Sequence, residues 1–289
     1  MNTHFLRSYA VGAAALTVGC SVGAQGRAEW SRPTEPFRIV GNLYWVGTHD
    51  LSSYLVISPE EHILINTGLP DSVSQIRANI ERLGFRVSDV KILTATHAHW
   101  DHVAGLAALK KMTGARVYMS APDADVLESG GKTDFRSGKD PETWFDPVTV
   151  DRRLADGETI RLGANSLTLH LHAGHTKGAS SFTFTVRDGA RDYRVGIINM
   201  GSINPRVRVS GMPGFPDIGE AYTRTFAAQK AMTLDVFLSS HASQFGLHQK
   251  RKPGDAYNPD RFVDPNGFRA AVDELEANFR KQLAAERER

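Results

Sequence analysis

Residues 97–102 read His97-Ala98-His99-Trp100-Asp101-His102, three imidazoles and one carboxylate in six positions. These are borderline ligands of the kind that hold zinc. The apolar run Val90-Lys91-Ile92-Leu93 and then Thr94-Ala95-Thr96 lead into them, and Ala104 to Met112 follows with the composition of a helix. The six residues therefore sit on a strand-to-helix loop, where side chains can converge on an ion without belonging to a packed face. His97 and His99, alternate residues of an extended segment, point the same way. Asp101 and His102 turn toward the coming helix and can serve a second ion.

Three further stretches belong with this one. They are Gly174-His175-Thr176-Lys177-Gly178, Ser239-Ser240-His241-Ala242-Ser243, and Asn66-Thr67-Gly68 after the apolar run Ile63-Leu64-Ile65. With the hexapeptide, an HxHxDH pattern, they resemble the metallo-β-lactamase superfamily. Within it the chain most resembles the third subclass of class B. His97, His99, Asp101, His102, His175 and His241 carry that likeness, with Thr133-Asp134-Phe135 and Asp192-Tyr193-Arg194 at similar places. The resemblance covers about Phe37 to Phe279. It implies an αββα sandwich, two sheets packed together with helices on both outer faces. Asn66 departs from the family, which usually has Asp there to brace the metal loops. Asn keeps an acceptor oxygen but loses the charge, which bears on metal affinity.

Periodicity alone gives only an α/β or α+β class. Leu43–Val46, Ser53–Ile57 and His62–Ile65 are short apolar runs between turn residues and read as strands. Val73, Ile76, Ile80 and Leu83 have helical spacing. Val90–Leu93 and Arg116–Met119 are strands, and Ala104–Met112, ended by Thr113-Gly114, and Ala121–Leu127 are helices. Gln25 to Pro36 reads as an irregular lead-in. Ser129–Pro147 and Met200–Asp217 are long Gly/Pro-rich loops, a length that often carries function. Strands are expected near Thr149, Thr159-Ile160, Ser166–Leu171, Ser181–Val186, Arg194–Ile198 and Val236–Leu238. Glu220–Met232 and Gly267–Ala285 read as helices.

The chain has 289 residues, 41% hydrophobic, a net charge of +2 and a single cysteine. That suits one domain of this kind, residues 25–289, with no charge bias toward nucleic acid. After the N-terminus no apolar run is long enough to span a membrane. Residues 1–24 read as a secretory signal. Arg7 is the positive end, Tyr9–Gly19 the short apolar stretch, and Val22-Gly23-Ala24 the small-residue cleavage site. Cleavage after Ala24 would remove Cys20 and leave a periplasmic chain without thiols, fit for an oxidising compartment. Thr17-Val18-Gly19-Cys20 loosely resembles a lipoprotein box, with Thr17 where Leu is usual, so lipidation at Cys20 stays open.

Carried over from the family residue by residue, His97, His99 and His175 hold a first zinc, and Asp101, His102 and His241 a second. Three neutral imidazoles leave the first ion an open position for water, whose pKa falls toward roughly 7. Asp101 also orients the nucleophile. His170 and His172 compete with His175 but share strand parity and read as sheet-facing. His248, beside Lys250-Arg251-Lys252, reads as solvated.

Superfamily relatives that cleave thioesters, lactones or phosphodiesters usually place a metal-bridging Asp on the strand between the third and last motifs. Here that stretch is Arg194-Val195-Gly196-Ile197-Ile198-Asn199-Met200-Gly201, without a carboxylate. The expected activity is thus hydrolysis of β-lactam amides by a monomer acting on a small molecule. The alternatives are another superfamily hydrolase and a non-catalytic exported zinc protein. Ser202 and Asn204, with Arg206 beyond, are the candidates for the drug's carboxylate, although Ile203 interrupts the expected serine pair. Trp144 and Phe145 are either an apolar wall or buried loop anchors.

Overall fold

Alternation along the strands decides which side of a sheet each residue faces. The computed structural model describes residues 24–59 and 61–288. Its first sheet runs in chain order through β1 (Phe37–Val40), β2 (Leu43–Trp45), β3 (Tyr54–Ile57), β4 (His62–Ile65), β5 (Val90–Thr94), β6 (Arg116–Ser120) and β7 (Arg152–Leu154). The first four are antiparallel and the rest join in parallel. The second sheet holds β8 (Thr159–Leu162), β9 (Asn165–Leu171), β10 (Ser180–Asp188), β11 (Arg191–Ile198) and β12 (Val236–Ser239). There β8 to β11 form an antiparallel meander and β12 adds to β11 in parallel.

The helices are α1 (Ala24–Trp30), α2 (Ser72–Arg82), α3 (Trp100–Val103), α4 (Leu106–Thr113), α5 (Ala121–Glu128), α6 (Ile218–Ala231), α7 (Leu247–Lys250) and α8 (Pro265–Arg287). On β3 and β4, Tyr54, Val56, Ile63 and Ile65 pack with Phe182, Val195 and Ile197 between the sheets. Leu55 and Leu64 of the same strands point the other way, to Ile76, Ile80, Leu106, Leu109 and Val126. Thus α2, α4 and α5 cover the first sheet. Phe226 of α6 and Val272 and Phe279 of α8 pack from the opposite side. This is the expected two-sheet sandwich with helices outside. In α8, Asp264 accepts from the Gly267 amide at 2.8 Å and Pro265 stands at the first helical position, both favourable starts.

Tertiary contacts changed three local expectations. The lead-in is irregular only in its second half: α1 takes up residues as far as Trp30, and β1 begins just after it. A seven-residue helix does not hold by itself in water. Here Thr48 Oγ1 donates to the Trp30 carbonyl at 2.7 Å and the His49 amide to the Arg32 carbonyl at 2.8 Å. The helix expected from Ala104 starts at Leu106 as α4, and a separate four-residue helix, α3, precedes it with a break at Ala104-Gly105. At Gly105 a Cβ would meet the Thr67 carbonyl at 2.6 Å, so the chain passes close to the Asn66–Gly68 turn. Finally, β7 begins at Arg152 rather than near Thr149, because the Asp151 amide first bonds the Val117 carbonyl.

Cys20 and all of the expected signal segment but Ala24 lie outside the described residues. Among the described residues no helix is long and apolar enough to cross a membrane.

Candidate metal centre

After β5 the chain stays extended to His99 (φ −82°, ψ 146°) and then turns into α3. The alternation places His97 and His99 together, their ring centroids 4.8 Å apart. The turn of α3 swings His102 back to 4.4 Å from His97. His175 arrives from the loop after β9, its ring 4.7 Å from His97 and 4.8 Å from His99. His241, at the end of β12, lies 4.9 Å from His102. The Asp101 carboxylate oxygen sits 3.3 Å from His102 Nε2 and 3.4 Å from His241 Nε2. All six residues singled out as ligands therefore share one cluster. Donor atoms of His97, His99 and His175 lie within 4.8 Å of one another, as do those of His97, Asp101 and His102.

The rings are held from behind. His175 donates through Nδ1–H to the Ser202 carbonyl at 2.8 Å, which leaves Nε2 free to ligate. His241 Nδ1 donates to Asp50 Oδ2 at 2.9 Å and likewise frees Nε2. Asn199, just past β11, stands 2.7 Å from His97 Nδ1. An amide offers a donor or an acceptor, so it serves either tautomer. Asp134 Oδ2 lies 3.9 Å from His99 Nε2. Its other oxygen accepts from the amides of Arg136 and Ser137 and the Ser137 hydroxyl. Asn66 holds φ +63° and accepts from Thr96 N (2.9 Å) and Thr96 Oγ1 (3.2 Å), tying the β4 turn to the metal loop.

Charge states follow from burial and neighbours. Burial first, then the surrounding imidazoles, holds His97 well below its ordinary value. The same two causes bring His175 to about 3, and burial lowers His99. These three rings are neutral at pH 7, the form that ligates a cation. His241 goes the other way. Burial opposes its charge, but the Asp101 and Asp50 carboxylates outweigh it and raise the ring to about 9. Burial pushes Asp101 up, yet His102 and His241 keep it well below the carboxylate range. Nε2 of His97 is buried with no hydrogen-bond partner and, with Nδ1 against Asn199, is turned toward the other rings. Leaving such a group bare costs about 1–3 kcal/mol, and a divalent cation held by this cluster would satisfy it.

Of the expected substrate residues, Ser202 is built into the centre. Its carbonyl accepts from His175 and from the Tyr222 hydroxyl at 3.0 Å, and its own hydroxyl is 3.3 Å from His175 Nδ1. Asn204 is half-buried on the same loop, its carbonyl accepting from the Val207 amide. Phe145 is half-buried and packs against the core under α2 and α4, whereas Trp144 is exposed and bonds the Gly138 carbonyl. His172 is buried on Ser181 Oγ at 2.6 Å and His170 bonds Thr183 Oγ1, so neither joins the cluster. His248 is half-buried rather than fully solvated: it stacks on His49 with centroids 3.9 Å apart, and its Nε2–H donates to the His49 carbonyl at 2.8 Å.

Asp50, Asn199 and Trp30 escaped the sequence reading. Trp30 of α1 packs edge-on against His241 at 5.2 Å and lies 6.4 Å from Trp100. The available signal was polarity in apolar surroundings. Asn199 follows the apolar run Val195–Ile198, and Asp50 lies between two such runs.

Residues 47–189 match the model of the metallo-β-lactamase superfamily. A β-lactamase from Chitinophaga pinensis is 43% identical, with 93% of this chain and 100% of that one covered and a TM-score of 0.87. The class B3 di-zinc metallo-β-lactamase LRA-12 from an Alaskan soil metagenome is 43% identical over 89% of this chain and 97% of its own, with a TM-score of 0.86. A hydroxyacylglutathione hydrolase from Jannaschia sp. is 30% identical over 135 residues, 47% of this chain and 43% of that protein. The chain thus spans less than half the length of this curated relative. With six candidate ligand residues gathered in one cluster and a fold shared with these structures over 89–93% of its length, the chain belongs to the metallo-β-lactamase superfamily, and its structural neighbours are class B3 metallo-β-lactamases.

Proposed function

We propose that this protein hydrolyses the amide bond of β-lactams, among them penicillins, cephalosporins and carbapenems, using two zinc ions. The observation that carries the reading is at Asn199. On the stretch 194–201, where a bridging carboxylate serves thioester and phosphodiester hydrolases, an amide instead backs His97 at 2.7 Å. The protein ligands then number six. His97, His99 and His175 would hold one ion, and Asp101, His102 and His241 the other. Such ions activate a water and polarise a carbonyl.

The protein's own part is orientation. Ser202 and Asp50 fix the His175 and His241 rings through Nδ1. Asp101, kept ionised by His102 and His241, accepts a hydrogen bond from the attacking water and so aims it. Ser202 and Asn204 lie on the loop that would meet the substrate's carboxylate. A monomer exported to the periplasm, where it protects the cell from these drugs, completes the reading.

The second reading is thioester hydrolysis, favoured by the curated relatives named hydroxyacylglutathione hydrolase. Lactone hydrolysis and a non-catalytic zinc role are the remaining ones. Steady-state kcat/KM of zinc-loaded protein on a carbapenem, a cephalosporin, S-lactoylglutathione and an acyl-homoserine lactone separates them. A lactam should lead. A thioester or lactone above every lactam would replace the proposal, and inactivity on all four would leave the zinc-protein reading.

A further inference from the structure

The Asp123 carboxylate is a buried anion with no use in the reading above. It stands in the first turn of α5 and is fully buried. Oδ2 accepts from the Ala98 amide at 2.9 Å and from Thr176 Oγ1 at 2.7 Å. Oδ1 accepts from the Gly178 amide at 2.7 Å. Ala98 lies between His97 and His99, and Thr176 and Gly178 follow His175. One carboxylate therefore grips both loops that supply the first histidine triad, on the backbone between and beside the ligands.

The surroundings are built for this grip. A Cβ at Gly178 would come within 2.4 Å of Ser120 Oγ and 2.5 Å of the Asp123 amide, so glycine lets the loop close onto α5. Ser120 Oγ also donates to the Gly178 carbonyl at 2.6 Å, and the Ser180 amide to the Thr96 carbonyl at 2.7 Å. No cation pairs with Asp123 among the described residues. Burial, the largest effect, raises its pKa to about 6 against the three hydrogen bonds. A fully buried carboxylate without a cation is costly. An ion held by His97, His99 and His175 would be the missing positive charge.

We propose that Asp123 is a positioning residue that sets the spacing of the His97–His99 and His175 loops and thereby the affinity of the first metal site. This rests on the metal-centre reading. Asp123→Asn tests it, because an amide has one acceptor oxygen for three donors and turns an NH2 toward at least one of them. Thr176→Val removes a single donor at constant shape, and Thr176→Ser restores it.

Each change is made in a His241→Ala background, which weakens the second site, and zinc affinity is read by chelator competition. Urea unfolding of the metal-free forms runs alongside. Asp123→Asn should weaken zinc binding about 10–100-fold. Thr176→Val should act in the same direction by less than about tenfold, and Thr176→Ser should restore the parent value to within about twofold. If Asp123→Asn fails to fold, the two Thr176 variants decide alone. Unchanged affinity in Asp123→Asn, or in Thr176→Val where only that pair is readable, would overturn the staple while leaving the metal centre intact. A parent that binds no zinc would overturn both, and is told apart by that alone.

Discussion

Replacing Asp50 by Asn should change how the metal-free protein responds to alkaline pH. The two Asp50 oxygens take His241 Nδ1 at 2.9 Å and the Ser243 amide at 2.8 Å. With Asp101 on the other ring nitrogen, they raise His241 to about 9 against burial. Set against 6.5 in the unfolded chain, that corresponds to about 3 kcal/mol of preference for the protonated folded state. The attraction also holds Asp50 at about 2 and is counted once. A raised histidine pKa gives stability that is fully present below 6.5 and is lost as pH rises through about 9. Chelator-treated protein should therefore lose about 3 kcal/mol between pH about 6.5 and about 9.5 from this group. Asp50→Asn keeps one acceptor oxygen but removes one of the two charges, so about half that loss should remain. Urea unfolding at the two pH values measures it, and His241 ring NMR identifies the titrating group. Zinc should abolish the difference in the parent, because a cation replaces the proton. If Asp50→Asn loses as much stability as the parent over this range, the account of the Asp50–His241–Asp101 chain is wrong.

Asn66→Ala should destabilise the fold by about 3 kcal/mol, from the left-handed backbone at φ +63° and two lost hydrogen bonds. Asn66→Gly, free of the backbone cost, should lose about half as much; a urea-derived value within about 0.5 kcal/mol of the parent for Asn66→Ala would refute this. Full-length protein recovered from a bacterial periplasm should begin at Gln25 by intact mass, and a lipidated Cys20 at the N-terminus would establish the other processing route. His97→Ala and His241→Ala should each bind one zinc fewer than the parent's two, at different sites. Two ions retained in either variant would strike that residue from the ligand set.

The sequence by itself picked out the candidate ligands and the class of fold. Four of the six cluster residues lie within six positions, and a strand followed by a helix leaves that loop little choice but to gather them. The other two follow glycine or serine in short polar motifs at strand ends, and the apolar alternation of β3 and β4 sorts residues between the two cores. What it could not give is everything that depends on segments far apart in the chain. Asp50 reaches His241 across 191 residues, Asn199 reaches His97 across 102, and Asp123 joins loops 25 residues before it and 55 after. Each is one polar residue with no periodicity, so local pattern cannot tell it from a solvated side chain. The helix carrying Trp30 is too short to be stable alone and exists because its end bonds the Thr48–His49 loop. Ligand identity is written in local chemistry, whereas ligand orientation is a matter of which backbones the packed sheets bring within hydrogen-bond reach.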